Sequence, residues 1–206
     1  MIRAFVFDLG NVLIRILPER IFQNWGEQSG LDWREIYARF RFDEVHDAFE
    51  RGEVAPAQFL AHIRQTYDLP LTDAQLEQGW NAIFVGEVPG VTGLIRALKS
   101  HYRVVALSNT NAIHVPFFKA AYEETLRDLE YVFASNEIGT RKPEAQAYQT
   151  VMDYLQMRPE ELVFLDDNAA NVRAARAIGM QAIEFTAVEE ALAELCKLGI
   201  DQTQAS

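Results

Sequence analysis

The chain has 206 residues, 49% of them hydrophobic, which is enough to bury a core in one domain or in one domain carrying a modest insertion. Nineteen basic against thirty acidic residues give a net charge of −11, which repels polyanions, so we expect no nucleic-acid partner. No apolar stretch approaches the roughly 20 residues of a membrane span, and no signal peptide is evident, so we expect no membrane partner. The single cysteine excludes an intramolecular disulfide and favours a reducing, cytoplasmic location.

Five short apolar runs rich in Val, Ile, Phe and Tyr predict buried strands. In chain order they are residues 2–7, 102–107, 131–134, 162–165 and 181–185. Between the later runs, residues 90–100, 144–155 and 168–178 carry apolar side chains at helical spacing. Strands alternating with helices predict an α/β fold with a parallel sheet covered on both faces.

One segment breaks this alternation. Residues 18–87 contain no strand candidate, and they carry apolar side chains three and four positions apart in four stretches. The pattern predicts a helical insertion after the first strand. Residues 201–206 are expected to form a frayed polar tail.

Polar side chains follow the predicted strands where each one ends. They are Asp8 after the first strand, Ser108 and Asn109 after the second, Lys142 after the third, and Asp166 with Asp167 after the fourth. Taken singly, each has an ordinary explanation as a turn, a helix cap or a solvated charge. Because ligands of open parallel sheets bind beyond the carboxyl ends of the strands, the set as a whole predicts a binding site.

Two adjacent acids are costly to hold close to Asp8 unless a cation neutralises them. Carboxylate ligands without cysteine suit Mg²⁺ better than zinc. The coordination shell of the ion would consist of Asp8, one of the pair Asp166 and Asp167, a backbone carbonyl and waters.

These groups suggest phosphoryl transfer. Mg²⁺ and Lys142 would neutralise a phosphoryl group, and Ser108 and Asn109 would donate hydrogen bonds to its oxygens. Asp8 would attack phosphorus and form an aspartyl-phosphate that is later hydrolysed.

The strand ends carry, in chain order, an acid, a Ser, a Lys-Pro pair and paired acids. This order of motifs resembles that of the haloacid dehalogenase superfamily, and the resemblance covers nearly the whole chain. The resemblance implies a Rossmann-like, doubly wound sheet of about five strands in an order resembling 5-4-1-2-3. It also implies a helical cap inserted after strand one. The core would then comprise residues 1–16 and 88–206, and the cap residues 17–87.

Residues 7–13, 107–111 and 164–168, with 49–53 in the cap, look most like bacterial α-D-glucose-1-phosphate phosphatases. This subgroup implies a Mg²⁺-dependent phosphatase acting on a small phosphorylated metabolite, such as the sugar phosphate glucose 1-phosphate. The metal would contact Asp8, Asp167 and the backbone carbonyl of Gly10, with Asp166 in a supporting role.

Gly10 departs from the superfamily pattern, because most phosphatases carry a second Asp at this position as general acid and base. Such catalysis is worth about 10² to 10⁴ in rate, so its absence should favour activated esters such as sugar 1-phosphates. His114 is one candidate to replace the missing group.

Two alternatives stay open. A 2-haloacid dehalogenase also lacks the second acid and needs no metal, although the Asp166–Asp167 pair argues against it. A catalytically weak protein that binds a phosphorylated metabolite is the other. The sequence does not indicate an oligomeric state. Packing or solvation explains five charged and aromatic cap residues better than substrate contact does, although each could reach a substrate: His46, Glu50, Arg51, Trp80 and Phe84.

Overall fold

A computed structural model describes residues 1–200, and the predicted tail at 201–206 lies outside them. Within residues 1–200 the strands are β1 Ala4–Phe7, β2 Ile14–Ile16, β3 Phe84–Glu87, β4 Arg103–Ser108, β5 Val132–Ala134, β6 Leu162–Asp166 and β7 Gln181–Glu184. The first five helices are α1 Glu19–Ser29, α2 Trp33–Arg39, α3 Glu44–Glu50, α4 Pro56–Tyr67 and α5 Asp73–Asn81. The later ones are α6 Val91–Lys99, α7 His114–Ala121, α8 Glu123–Leu126, α9 Ser135–Ile138, α10 Ala145–Leu155, α11 Ala169–Ala177 and α12 Val188–Lys197. Of the helices described, none is both long and apolar enough to cross a membrane.

Five strands form one parallel sheet in the order β5-β4-β1-β6-β7. Numbered one to five in chain order and read from the β7 edge, these strands lie 5-4-1-2-3 across the sheet. The predicted α/β class with a doubly wound parallel sheet is confirmed. In the register of the three central strands, Phe7 lies opposite Ala106 on one side and Leu165 on the other. The residues that follow these strands therefore meet at one edge of the sheet.

The sheet is buried on both faces, as a parallel sheet with helical connections requires. Successive residues of a strand point to opposite faces, so Phe5 and Phe7 of β1 enter one core cluster and Ala4 and Val6 enter the other. Side chains of α6 and α12 pack in the first cluster, and side chains of α10 and α11 pack in the second. The central strands thus read as continuous apolar runs, which is why the sequence predicts them well.

Helices α1–α5, called here the insertion, supply most of a third hydrophobic cluster, which also includes Ile113 from the segment after β4. It is centred on aromatic side chains, among them the buried Trp25, which packs parallel to Trp80 at 6.1 Å between ring centroids. The five helices of the insertion therefore pack around an apolar core that is separate from the two clusters of the sheet.

A short antiparallel ribbon of β2 and β3 joins the insertion to the sheet. Leu17 N–H donates to the Ile83 carbonyl at 2.8 Å and continues the ribbon toward the insertion. The absence of a strand candidate in residues 18–87 was a wrong expectation, because β3 occupies Phe84–Glu87. This strand has only four residues, one of them Gly86, so neither its length nor its composition distinguishes it from a helix end.

Candidate active site

Three carboxylates meet where β1 and β6 end. Asp8 follows β1, and its N–H donates to the Leu165 carbonyl of β6 at 2.7 Å. Asp166 is the last residue of β6 and Asp167 the next. One oxygen of each of Asp8, Asp166 and Asp167 lies within 4.8 Å of the other two. The structure thus brings together the acids that the sequence predicted to share a site.

Lys142 lies between two of these acids. Its Nζ is 2.6 Å from Asp8 Oδ1 and 2.6 Å from Asp166 Oδ2, and only 1% of the residue is exposed. Burial on its own lowers the pKa of an ammonium, but the two carboxylates more than offset this and hold the pKa of Lys142 above its usual value. The side chain is therefore a fixed positive charge beside Asp8.

Asp166 is fully buried and its oxygens already have hydrogen-bond partners. Besides Lys142, it accepts hydrogen bonds from the Asn168 N–H at 2.8 Å and from Asn171 Nδ2 at 3.1 Å. The arrangement makes Asp166 a positioning residue for the ammonium. Sequence reasoning did not find Asn171, which lies in the first turn of α11, close to the end of β6.

Asp8 and Asp167 have more negative charge around them than the ammonium balances. Burial, with the charge of Asp166, raises the pKa of Asp8 to about 7 against the attraction of Lys142. Burial also raises the pKa of Asp167, although Asn11 Nδ2 donates to its Oδ2 at 3.1 Å. The backbone of Asn11 is left-handed, with φ 55°, a conformation that Asn tolerates better than most residues.

Three carboxylates facing one ammonium fit a divalent cation. Carboxylate oxygens are ligands that a hard cation prefers, and Asp8 and Asp167 have fewer hydrogen-bond partners than Asp166. Gly10 lies in the same turn between Asp8 and Asn11, so a role for its carbonyl stays a prediction compatible with its position. A Cβ at Gly10 would lie 3.1 Å from Ile16 Cδ1, so an acid there would also crowd a neighbouring side chain.

Ser108 and Asn109 lie at the end of β4, as predicted. Asn109 Nδ2 donates to the Lys142 carbonyl at 2.8 Å, and the Lys142 N–H donates to Asn109 Oδ1 at 2.8 Å. The side-chain amide of Asn109 thus fixes the backbone of Lys142, and the contact of Asn109 with phosphate stays a prediction. Ser108 is buried, and its Oγ makes only a long contact, 3.5 Å, to the Asn109 carbonyl. Its hydroxyl stays the predicted phosphate donor.

A family model for haloacid dehalogenase-like hydrolases matches residues 2–179. The chain belongs to the haloacid dehalogenase-like hydrolase family. Individual relatives agree with this assignment. The chain is similar to D-ribitol-5-phosphate phosphatase of Bacteroides thetaiotaomicron, with 21% identity over 189 residues that are 89% of this chain and 92% of the relative. It is also similar to sesquiterpene phosphatase astK of Aspergillus oryzae, with 28% identity over 191 residues, 89% of this chain and 90% of the relative.

A solved structure supports the same assignment. A HAD family enzyme from Bacteroides thetaiotaomicron, in complex with magnesium and inorganic phosphate, superposes with a TM-score of 0.80 at 27% identity. The match covers 91% of this chain and 96% of that one. The hydrolase therefore shares its whole architecture with a family member, and not the sheet alone.

Next to the strand-end residues, the hydrolase has a cavity of about 760 Å³. Leu9 and Gly10, which follow Asp8, line it together with Ser108 and Asn109, and the rest of its wall comes mainly from the insertion. Of the substrate-contact candidates from the sequence, His46, Glu50, Trp80 and Phe84 line this cavity and Arg51 does not. The size lies within the range of small-molecule sites.

Ion pairs join α3 of the insertion to the loop that carries Lys142. Arg141 pairs with Asp47, and its Nε lies 2.9 Å from Glu50 Oε2, although these two atoms are not aligned for a hydrogen bond. Arg51 pairs with Glu144 on the far side of the same loop. Arg51 is thus a contact between insertion and sheet domain, and not a substrate contact.

His114 does not fit the role of a replacement acid. Asn111 Nδ2 contacts its Nδ1 at 3.1 Å and the Trp80 carbonyl contacts its Nε2 at 3.1 Å, so both ring nitrogens have partners. Burial lowers the pKa of His114 to about 3, so the ring is neutral near pH 7 and has no proton to spare. The group that protonates the leaving oxygen must be sought elsewhere.

Glu50 should make the hydrolase less stable as the pH rises. Burial raises the pKa of Glu50 from 4.5 to about 7, so between these values the folded chain keeps a proton that the unfolded chain has lost. Above pH 7 Glu50 is ionised in the folded chain as well, so the folded state carries the full free-energy cost of the buried charge. Relative to Glu50→Gln, the wild type should therefore lose up to roughly 3 kcal/mol of unfolding free energy between pH 4.5 and 8.

Urea denaturation across this pH range measures the difference. His46, whose pKa burial lowers to about 4, gives a slope of opposite sign that is confined to lower pH, so the Glu50 effect is measured above about pH 6. Arg141 keeps Asp47 as a partner in the variant. The exposed neighbour Glu53 supplies the matched control Glu53→Gln, which should follow the wild-type profile. Parallel profiles for wild type and Glu50→Gln would contradict the prediction.

Proposed function

We propose that the chain is a Mg²⁺-dependent phosphatase that hydrolyses a small phosphorylated metabolite, with Asp8 as nucleophile. The observation that carries the proposal is the position of Asp8: its carboxylate lies 2.6 Å from the buried ammonium of Lys142, beside Asp167 and next to the cavity. Relatives named as phosphatases and a magnesium–phosphate complex of a family member support it.

In the proposed reaction Asp8 attacks phosphorus, the bond from phosphorus to the ester oxygen breaks, and an aspartyl-phosphate forms. Lys142 places a positive charge beside the attacked group, and the Ser108 hydroxyl donates a hydrogen bond to a phosphoryl oxygen. Asp8, Asp167 and the Gly10 carbonyl would hold Mg²⁺, whose charge would keep Asp8 ionised and neutralise the phosphate. The leaving oxygen takes its proton from water, since Gly10 has no side chain to give one. A water molecule then attacks phosphorus, which returns Asp8 and releases inorganic phosphate.

Finer assignments rest on the sequence resemblance. Glucose 1-phosphate is the substrate that the resemblance implies, and an anomeric leaving group would need little help from an acid. We also propose that the insertion is a cap over the site, within residues 17–87, on a core of residues 1–16 and 88–206. A cytoplasmic location stays the expectation from the single cysteine.

The test is a phosphate-release assay with a panel of phosphorylated metabolites in Mg²⁺ and in excess EDTA. We expect hydrolysis in Mg²⁺ and a loss of at least about 100-fold in EDTA, because the charge of the acid cluster is then unbalanced. Release of chloride from 2-chloropropionate in EDTA, with no phosphate from any ester, would instead identify a dehalogenase. Phosphate binding without turnover of any ester at high enzyme concentration would identify a binding protein.

A further inference from the structure

The cavity beside the catalytic groups has a wall that is mostly aromatic and aliphatic. Six aromatic side chains line it: Phe22, Tyr37, Phe40, Phe42, Trp80 and Phe84. Aliphatic side chains, among them Ile16, Ile21 and Ile83, fill the spaces between them. Such a wall gains free energy from burying an apolar group and offers little to a polyol.

The charged side chains of the wall already have partners. Arg141 is paired with two carboxylates of α3. Arg41 Nη1 donates hydrogen bonds to two neighbouring backbone carbonyls, at 2.6 and 2.9 Å. His114 uses both ring nitrogens. His114 therefore has no free ring nitrogen for a hydroxyl, and the two guanidinium groups are held in place by contacts within the protein.

Five buried polar atoms of the wall have no hydrogen-bond partner among the described residues. Two of them, Arg141 Nε and Glu50 Oε2, face each other at 2.9 Å as an ion pair. The other three are His46 Nδ1, Trp80 Nε1 and Thr110 Oγ1. They can serve one or two polar atoms of a ligand. A hexose buries several hydroxyl groups, each with a donor and an acceptor, and each one left without a partner costs free energy. The wall therefore suits a mainly apolar molecule with few polar atoms.

The rim of the cavity gives an independent indication. Phe42 is 70% exposed and Tyr37 is 43% exposed, and both line the cavity. Phe42 contacts His46 and Phe40 at ring-centroid distances of 4.5 and 5.3 Å, so the exposed ring extends the apolar wall outward. An apolar group bound inside would cover these rings.

We propose that the ester cleaved by this hydrolase has an apolar, aromatic or isoprenoid-like leaving group, bound in the aromatic cavity between the insertion and the end of the sheet. The inference rests on the proposed phosphatase function and specifies its substrate class. It differs from the sugar phosphate that the sequence resemblance implies. Phosphate and Mg²⁺ bind at the strand ends, and the cavity alone selects the leaving group.

The test varies apolar length without changing leaving-group chemistry. Phenyl phosphate and its 4-methyl, 4-ethyl, 4-propyl and 4-butyl derivatives release phenols of nearly equal acidity. We expect kcat/KM in Mg²⁺ to rise about fourfold with each added methylene. 4-(2-Hydroxyethyl)phenyl phosphate has nearly the shape of the 4-propyl ester, and it should react at least about tenfold more slowly. Glucose 1-phosphate and ribitol 5-phosphate are the polar comparison substrates.

Variants locate the effect in the cavity. The readout is kcat/KM for the 4-butyl ester divided by kcat/KM for the unsubstituted ester. Phe42→Ser, at a largely exposed ring of the wall, should lower this ratio severalfold. Ala38→Phe, at an exposed position of the wall, should also lower it because the new ring fills space in the cavity. Tyr154→Ser is the matched control, because Tyr154 is 43% exposed and lies outside this cavity. The control should keep the wild-type ratio.

The outcomes separate the two proposals. A flat series, or a preference for glucose 1-phosphate or ribitol 5-phosphate over every aryl ester, would overturn the apolar leaving group and leave the phosphatase intact. An unchanged ratio in both cavity variants would also overturn it. No phosphate release from any ester in Mg²⁺ would refute the phosphatase itself.

Discussion

Asp8→Asn should abolish phosphate release, with a fall in kcat of about 10⁵-fold, because an amide cannot attack phosphorus or carry the phosphoryl group. The loss should not come from unfolding. Burial raises the pKa of Asp8 to about 7, which shows that the folded chain disfavours the charged carboxylate, and Asn removes that charge. Lys142 keeps Asp166 as a partner in the variant.

The measurement combines phosphate release with acid-quench mass spectrometry of the wild type, which should detect a phosphorylated peptide containing Asp8. Asp68→Asn is a matched control: Asp68 has a side chain that is 87% exposed and a left-handed backbone that Asn also adopts, so activity should be unchanged. Turnover that survives Asp8→Asn would remove Asp8 from the role of nucleophile.

Lys142→Met should be the most destabilising single change at the site. It leaves Asp8 and Asp166 buried without their shared ammonium, and breaking a buried pair in this way costs about 3–5 kcal/mol. The loss should be smaller at pH 5.5 than at pH 8. Asp8 takes up a proton as the pH falls below its raised pKa of about 7, while the unfolded chain, with an ordinary carboxyl pKa, does not.

Urea denaturation at the two pH values measures this effect, and a double mutant identifies its cause. Asp8→Asn combined with Lys142→Met should be more stable at pH 8 than the sum of the single changes predicts, because one of the two unbalanced charges is gone. Lys119→Met, at a half-exposed lysine 3.2 Å from Glu137, is the control and should cost less than about 1 kcal/mol. Equal losses from the Lys119 and Lys142 variants would contradict a buried, charge-balancing role for Lys142.

The sheet and its acid cluster could be predicted because local pattern and topology agree. A parallel strand buried on both faces is a continuous apolar run, and its end is visible where the run meets Asp8 or Asp166. Once strands are parallel, their ends meet at one edge, so residues 158 positions apart become neighbours without knowledge of any side-chain contact.

Contacts that depend on the path of a loop could not be predicted. The sequence did not predict that the side-chain amide of Asn109 holds the backbone of Lys142, because this contact depends on the course of the Lys142 loop past β4. The pairing of Arg141 with Glu50 depends on how the insertion is seated on the sheet. The aromatic cavity likewise arises between elements distant in sequence, and each of its rings alone looks like an ordinary core residue.

Arg141 and Lys142 are consecutive residues, yet one is bound to α3 and the other to the ends of two strands. A single planar peptide unit, about 3.8 Å from Cα to Cα, connects these two sets of contacts. A movement of α3 away from the sheet must either break the ion pairs of Arg141 or draw the ammonium away from Asp8. The position of the insertion on the sheet and the charge balance of Asp8 are therefore linked through this peptide unit. The ammonium of Lys142 balances the Asp8 carboxylate best when α3 stays packed against the Arg141 loop.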